Sequence, residues 1–162
     1  MRFGEIFKMG MLKANALRTL EEDPLLSFCF KVEIEGLSGD IGFQKVGGIS
    51  REIEVIEYFE SMYEHAHKLP GRESFGEVTF ERGMFRNAAM YNKYEQVFKQ
   101  NNVRSTVTVM ITDRLGKPRR KFVFNEAWFS KYELADLDAT SSDVLIETLT
   151  LVFEEMLPSE MA

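Results

Sequence analysis

From Ser27 onward, apolar and polar residues alternate with a period of two. Phe28, Phe30, Val32 and Ile34 interleave with Ser27, Cys29, Lys31, Glu33 and Glu35. Val78 and Phe80 interleave with Glu77, Thr79 and Glu81, and Val103, Val107, Val109 and Ile111 with Arg104, Thr106, Thr108 and Thr112. Successive side chains of a strand point to opposite faces, so each run reads as a strand with one buried and one wet face. A chain patterned this way must build sheets around a shared core, and the pattern excludes a helical bundle.

The remaining segments fit that frame. After a Gly36 to Gly42 turn, Ile41–Val46 reads as a short returning strand ended by Gly47-Gly48. Arg51–Tyr58 is a strand whose apolar phase slips between Val55 and Ile56, the mark of a bulge. Phe59–Ser74 lacks periodicity and contains Pro70-Gly71, so it reads as a long loop. Leu115-Gly116 marks a hairpin loop before a long strand, Lys121–Leu134, with Phe122, Phe124, Trp128, Tyr132 and Leu134 assigned to one face. Val144–Phe153 is apolar on both faces except at Glu147, Thr148 and Thr150, which places it centrally in a sheet. One helix interrupts the strands: Asn87 is its expected cap, Met90, Tyr91, Tyr94, Val97 and Phe98 its apolar stripe, and Asn101-Asn102 its end. About seven strands, one helix and no βαβ alternation predict a mainly β chain, an antiparallel sandwich or barrel with one flanking helix.

The chain has 162 residues, enough for one domain that needs no staples to fold. Lys and Arg number 20 against 26 Asp and Glu, a net charge of −6, which disfavours a nucleic-acid surface. The charge is uneven. The first 20 residues carry Arg2, Lys8, Lys13 and Arg18 against Glu5 alone, a balance of +3, leaving −9 for the rest. Residues 1–22 are therefore set apart as an N-terminal arm, with glycine-broken apolar spacing, and residues 23–162 as the β domain. No apolar run is long enough to span a bilayer, so no stable membrane insertion is expected, and the first residues lack the apolar stretch of a secretory signal.

Chemistry-bearing motifs are few. Cys29 is the single cysteine and has no histidine near it in sequence. His65 and His67 have a strand-like metal-ligand spacing, with Glu60, Glu64 or Glu73 as further donors, and a metal-dependent all-β enzyme is one alternative. No third histidine exists, whereas a catalytic metal generally takes three protein ligands. Nucleophile-elbow, P-loop and dinucleotide motifs are absent from the sequence, and neither catalysis nor a cofactor is expected. The wet strand positions Lys31, Glu33, Glu35, Glu52, Glu54, Glu77, Thr79 and Glu81 read either as a solvated outer face or as the lining of a pore built by several copies. On composition alone the first reading wins; the second stays open because open sheet edges invite pairing and a closed ring of copies satisfies them.

Several strings together resemble the tube proteins of contractile tails, which form the inner tube of myophages and related injection systems. They are Phe28-Cys29-Phe30-Lys31-Val32-Glu33-Ile34-Glu35-Gly36-Leu37, then Gly42-Phe43-Gln44-Lys45-Val46-Gly47-Gly48-Ile49 and Glu54-Val55-Ile56-Glu57-Tyr58. Lys68-Leu69-Pro70-Gly71 with Gly76-Glu77-Val78-Thr79-Phe80-Glu81-Arg82-Gly83 follows, and finally Ala127-Trp128, Lys131-Tyr132 and Ile146-Glu147-Thr148-Leu149. The resemblance implies hexameric rings stacked into a hollow tube, part of a phage virion tail or an injection particle assembled in the bacterial cytoplasm. It implies a sheath protein, a baseplate hub or tube initiator, and a tape measure or payload in the lumen as partners. The wet positions named above would line that lumen. The loop bearing Glu64, His65, His67, Lys68, Leu69, Pro70, Gly71 and Arg72 would reach the next ring, and the helix face of Asn92, Lys93, Glu95, Gln96 and Lys99 would look towards the sheath. The arm at residues 1–22 is extra to the resemblance, and Ser61-Met62-Tyr63 replaces a glycine-rich stretch. Both leave open a tube-initiator paralogue at the baseplate, and a secreted hexameric ring of the type VI apparatus shares the expected architecture.

Overall fold

The computed structural model describes residues 24–37, 41–99 and 103–160. The arm, the middle of the Gly36 to Gly42 turn and the Asn101-Asn102 helix end lie outside those residues. Nine strands and one helix follow in order: β1 (Phe30–Ile34), β2 (Lys45–Gly47), β3 (Arg51–Tyr58), β4 (His67–Phe75), β5 (Val78–Gly83), α1 (Ala89–Lys99), β6 (Ser105–Thr112), β7 (Pro118–Leu134), β8 (Ile146–Val152) and β9 (Glu155–Glu160). All pairings are antiparallel. The expected β class with one helix is present. The strand count exceeds the expected seven because β4 and β9 carry no period-two signal.

β7 organises the body. Its first half pairs with β6 and β9, and β6 pairs with β1; its second half pairs with β8, which pairs with β5 and then β2. We call β1-β6-β7-β9 sheet A and β7-β8-β5-β2 sheet B. The strand changes sheets at Glu126, the one non-glycine residue with positive φ (52°) among those described. There the β6–β7 register shifts, and a second shift follows between Phe129 and Lys131. A bulge of this kind bends a strand and re-aims its side chains. It also corrects the expected facing of β7. Phe124, Ala127 and Phe129 are the buried β7 residues, whereas Trp128 is only half-buried, so no single unbroken phase runs through the strand.

The inner faces of both sheets share one core. Val32, Ile34, Val107, Val109 and Phe124 come from sheet A, and Val78, Phe80, Phe129, Leu149 and Leu151 from sheet B. Phe80 meets Phe129 edge-on at 6.3 Å, and Phe124 meets Phe153 at 4.7 Å. Burying each such side chain contributes about 1.5–3 kcal/mol, and their interlocking joins the sheets. β8 lies between β5 and β7 with Glu147, Leu149, Thr150 and Leu151 buried, as its two apolar faces predict.

Several element boundaries shift. β1 begins at Phe30, and Phe28, expected inside, is 74% exposed beyond the ladder. β2 is only three residues long. The Asn92 amide donates to the Ala88 carbonyl at 2.8 Å, so Ala88 takes the cap position, one residue after the expected Asn87, and the helix starts at Ala89. The Leu115-Gly116 hairpin is present: Gly116 has φ 79°, and the Asp113 carboxylate accepts from the Leu115 and Lys117 amides.

Residues 67–74, expected as part of the loop, belong to β4, which pairs with β3 in a separate two-stranded ribbon. Both of its strands are edges, so Pro70 is accommodated without a central ladder losing a donor. The register shifts between Ile53 and Val55, close to the predicted phase slip, and Gly71 packs there against Glu54 and Ile56. Gly48 sets the ribbon's root: its φ is +80°, and a Cβ there would run into the Glu77 carbonyl oxygen.

The re-phased β7 makes a direct prediction. Phe129→Ala should cost about 3–5 kcal/mol in denaturant unfolding, and Trp128→Ala clearly less. The reverse ranking would show that the strand keeps one phase throughout.

Candidate functional site: the assembly surfaces

The helix fixes which face of sheet B is free. Met90 is buried in the core, and Tyr91 and Tyr94 pack on Tyr132 of β7 at 5.4 and 6.0 Å. Tyr132 pairs with buried Leu149, so α1 and sheet A cover the same side of sheet B. Tyr91 and Phe98 of the predicted stripe remain exposed. On the opposite side, the register sets Lys45 beside Glu81, Thr79 beside Thr150, Glu81 beside Thr148, and Lys131 beside Thr150. Lys45 and Glu81 pair at 2.7 Å, as do Lys131 and Glu133. That face is mostly polar, with its charges compensated pairwise, and carries the half-buried pair Trp128 and Val152 beside the bend of β7.

The eight predicted wet positions do not form one wall. Thr79 and Glu81 lie on the outer face of sheet B, and Glu77 is exposed at its start. Lys31 and Glu33 lie opposite Met110 and Thr108 on the outer face of sheet A, across the core. Glu35 instead ties β1 to its neighbours. Its carboxylate accepts the Thr106 amide at 2.8 Å, and its carbonyl accepts from Lys93 Nζ at 2.8 Å. The Thr106 bonds hold its carboxyl below the usual range, while burial pulls the Lys93 ammonium down. Lys93 is thereby turned to the body, and Glu95 and Gln96 are half-covered, whereas Asn92 and Lys99 are exposed. Lys99 also pairs with Glu95 along the helix. Glu52 and Glu54 sit on the ribbon, away from both sheets.

The ribbon is almost wholly exposed. Ile53, Val55, Ile56, Tyr58 and Leu69 are each between 46% and 60% exposed, and Phe59 and Met62 at its tip reach 71% and 92%. Glu64 and His65 belong to the tip, and His67, Lys68, Leu69, Pro70, Gly71 and Arg72 to β4. His67 stacks edge-on against Tyr63 at 5.1 Å. Among the described residues, no group of three His, Cys, Asp or Glu could hold a metal ion, and no helix is long and apolar enough to cross a membrane.

Open edges complete the geometry. Among the described residues, β2 pairs only with β5, the second half of β7 only with β8, and β1 only with β6. The profile of the T4-like virus tail tube protein gp19 family matches residues 26–157. The chain belongs to this tail tube family. Its role is structural, in the inner tube of a contractile tail or injection particle. A search of curated protein sequences finds no match. A chain of the anti-feeding prophage baseplate, solved 6-fold symmetrised, is 25% identical with a TM-score of 0.75, covering 85% of this chain and 97% of that one. A chain of the PVC sheath–tube complex of an extracellular contractile injection system shares the fold at 19% identity and TM-score 0.79, covering 88% and 95%. So does Hcp1 from Flavobacterium johnsoniae, at 15% and 0.53, covering 83% and 97%.

Sequence reasoning passed over one feature of the tail tube protein. Arg82 Nε lies 2.8 Å from Glu147 Oε1, both side chains being almost fully buried, and the approach is too oblique for a hydrogen bond from that nitrogen. Tyr132 donates to Glu147 Oε2 at 3.0 Å, and the Arg82 guanidinium lies 4.7 Å over the Phe85 ring. Glu147 as the lone carboxylate in an otherwise apolar strand was the available signal. Burial, then the bond to Glu147, raise the Tyr132 phenol above its ordinary value.

This cluster ties α1 to sheet B. Glu147→Gln should cost about 3–5 kcal/mol by leaving Arg82 buried without its counter-charge, and Arg82→Met with Glu147→Leu should recover most of that. Tyr132→Phe should cost about 1 kcal/mol at neutral pH. Because the folded pKa is raised, the Tyr132 contribution is complete below about pH 10 and fades as pH rises through the higher folded value. The wild-type advantage over Tyr132→Phe in chemical denaturation should therefore shrink in alkali, and a constant gap would exclude the bond.

Proposed function

We propose that six copies close a ring through the free edges of sheet B, and that the β3–β4 ribbon of each copy reaches the adjacent ring, so that stacked rings form the conduit. The ribbon carries this reading. A two-stranded hairpin is marginal in water on its own, and this one displays a row of large apolar side chains. Another copy is the partner that covers it. The 6-fold symmetrised baseplate relative supports six copies, and the sheath–tube relative supports a sheath outside.

In this arrangement the polar face of sheet B lines the lumen and α1 looks outward, with Asn92 and Lys99 available to the sheath. Lys31 and Glu33 then belong to a surface away from the lumen. A wall in which threonines and compensated ion pairs predominate sheds a passing tape measure, DNA or effector payload, since it offers no net field. No catalytic step and no cofactor take part. Assembly takes place in the bacterial cytoplasm, on a baseplate hub. The 25% identity to a baseplate chain favours, as a second reading, the first ring at the baseplate rather than the bulk tube; labelled antibody on intact particles separates one ring from a full-length signal.

Replacing Val55, Ile56 and Leu69 with serine should leave the body's unfolding free energy within about 0.5 kcal/mol, since surface substitutions seldom do more. Negative-stain microscopy of this variant should show rings or monomers in place of tubes. Tubes of undiminished length would refute the stacking role.

Glu81→Lys with Glu133→Lys should preserve tube length and slow a DNA payload, with the delay fading as salt rises, because a screened surface field reaches only about 8 Å at physiological ionic strength. Unchanged transit at low salt would remove sheet B from the lumen.

A further inference from the structure

We propose that residues 1–22 of one copy dock on the apolar, acid-rimmed end of sheet B in a neighbouring copy. The surface forms where β5, β7 and β8 end together. The Met84 amide donates to the Leu145 carbonyl, the Ala135 amide donates to the Ile146 carbonyl, and a Cβ on Gly83 would touch Val144. This brings Met84, Phe85, Leu134, Leu137 and Val144 together beside Tyr91 of α1, and all six are 40% exposed or more, Leu137 and Val144 reaching 78% and 73%. Contiguous apolar surface of this kind marks an interaction site.

The rim chooses the occupant. Asp136 and Asp138 flank Leu137 in sequence and Asp143 precedes Val144; Asp138 accepts from Thr140 and Asp143 from Ser141, and among the described residues none of the three forms an ion pair. From Tyr132 to Ala162 the chain contains eight acidic residues and no Lys, Arg or His. The exposed β3–β4 ribbon is a poor match, since Arg51–Phe75 carries six Glu against Arg51, Lys68 and Arg72. The arm matches on both counts. It offers Phe3, Ile6, Phe7 and Met11 for the patch, and Arg2, Lys8, Lys13 and Arg18 for the rim. It also lies outside the span matched by the family model, residues 26–157.

The position of the arm's root, at the end of the subunit away from the patch, suits docking on a neighbouring copy. The chain enters β1, whose Phe30 pairs with Ile111, which pairs with Arg120 at the start of β7. The patch surrounds Leu134 at the other end of β7. A contact from one end of a subunit to the opposite end of the next is head-to-tail and propagates along a stack. The 23 residues before Pro24 can span up to about 80 Å, enough to cross between copies. The inference rests on the assembly reading above only in requiring that copies stack.

The test uses full-length chains with Cys29→Ser. Protein carrying Phe7→Cys is mixed with protein carrying Leu137→Cys, co-assembled and oxidised. A disulfide-linked dimer on a non-reducing gel is expected. Asp136→Lys should lower its yield about two- to fivefold, and Lys13→Glu on the arm should restore it, the range expected for one exposed ion pair. Val144→Asp should lower it about tenfold, the loss of one buried aliphatic contact. Assembled tubes without the dimer, or a disulfide formed only when both cysteines are in one chain, would overturn the docking and leave the tube reading standing. Absence of rings and tubes from the unsubstituted protein would instead overturn the assembly reading.

Discussion

The fold depends on a single strand being shared by two sheets. β7 runs from Pro118 to Leu134 and gives Phe124 to one side of the core and Phe129 to the other. Period-two alternation cannot survive such a crossing. The Glu126 bulge absorbs the mismatch at the cost of a positive φ, of order 1–2 kcal/mol for a residue with a Cβ. The interlocked phenylalanines offset that cost, and the sheets cannot slide apart without breaking the same strand. The buried Arg82–Glu147–Tyr132 cluster then anchors the helix at the far end of sheet B.

This rigid body makes its exposed parts meaningful. Once α1 and sheet A are fixed on one side of sheet B, the other side is a polar wall with open edges. The β3–β4 ribbon leaves that body through Gly48 and Gly76, where β2 and β4 pass closely; the Gly76 amide donates to the Ser50 carbonyl, a Cβ at Gly48 would strike the Glu77 carbonyl, and one at Gly76 would displace the Ser50 hydroxyl. Stability and assembly are thus separated in space. The core lies between the sheets, and the surfaces that need a partner project from the edges and ends.

The same separation accounts for the charge distribution. Acidic side chains on the outer face of sheet B have a local cation, as Glu81 has Lys45 and Glu133 has Lys131. Compensation within one copy lets many copies approach without mutual repulsion. The sequence itself is asymmetric in charge, net basic in the first 20 residues and net acidic after Lys131.

Local side-chain patterning determined the antiparallel β class through its period of two, the single amphipathic helix through its apolar stripe at helical spacing, the central place of the Val144–Phe153 strand through its two apolar faces, and the Leu115-Gly116 hairpin through its turn residues. The family strings, read together, determined the structural role. Tertiary structure alone decided which wet faces can share a wall. Glu33 and Glu81 look equivalent in sequence, yet the core lies between them, since alternation states that a residue faces outward but not from which sheet. It also decided that residues 67–75 form a strand. Their side chains are mostly exposed, so no apolar phase records the pairing, and the ladder to β3 is made by the backbone, which the side-chain pattern does not encode. Glu147 was visible as an oddity, but its partner Arg82 lies 65 residues away and meets it only when β5 and β8 align.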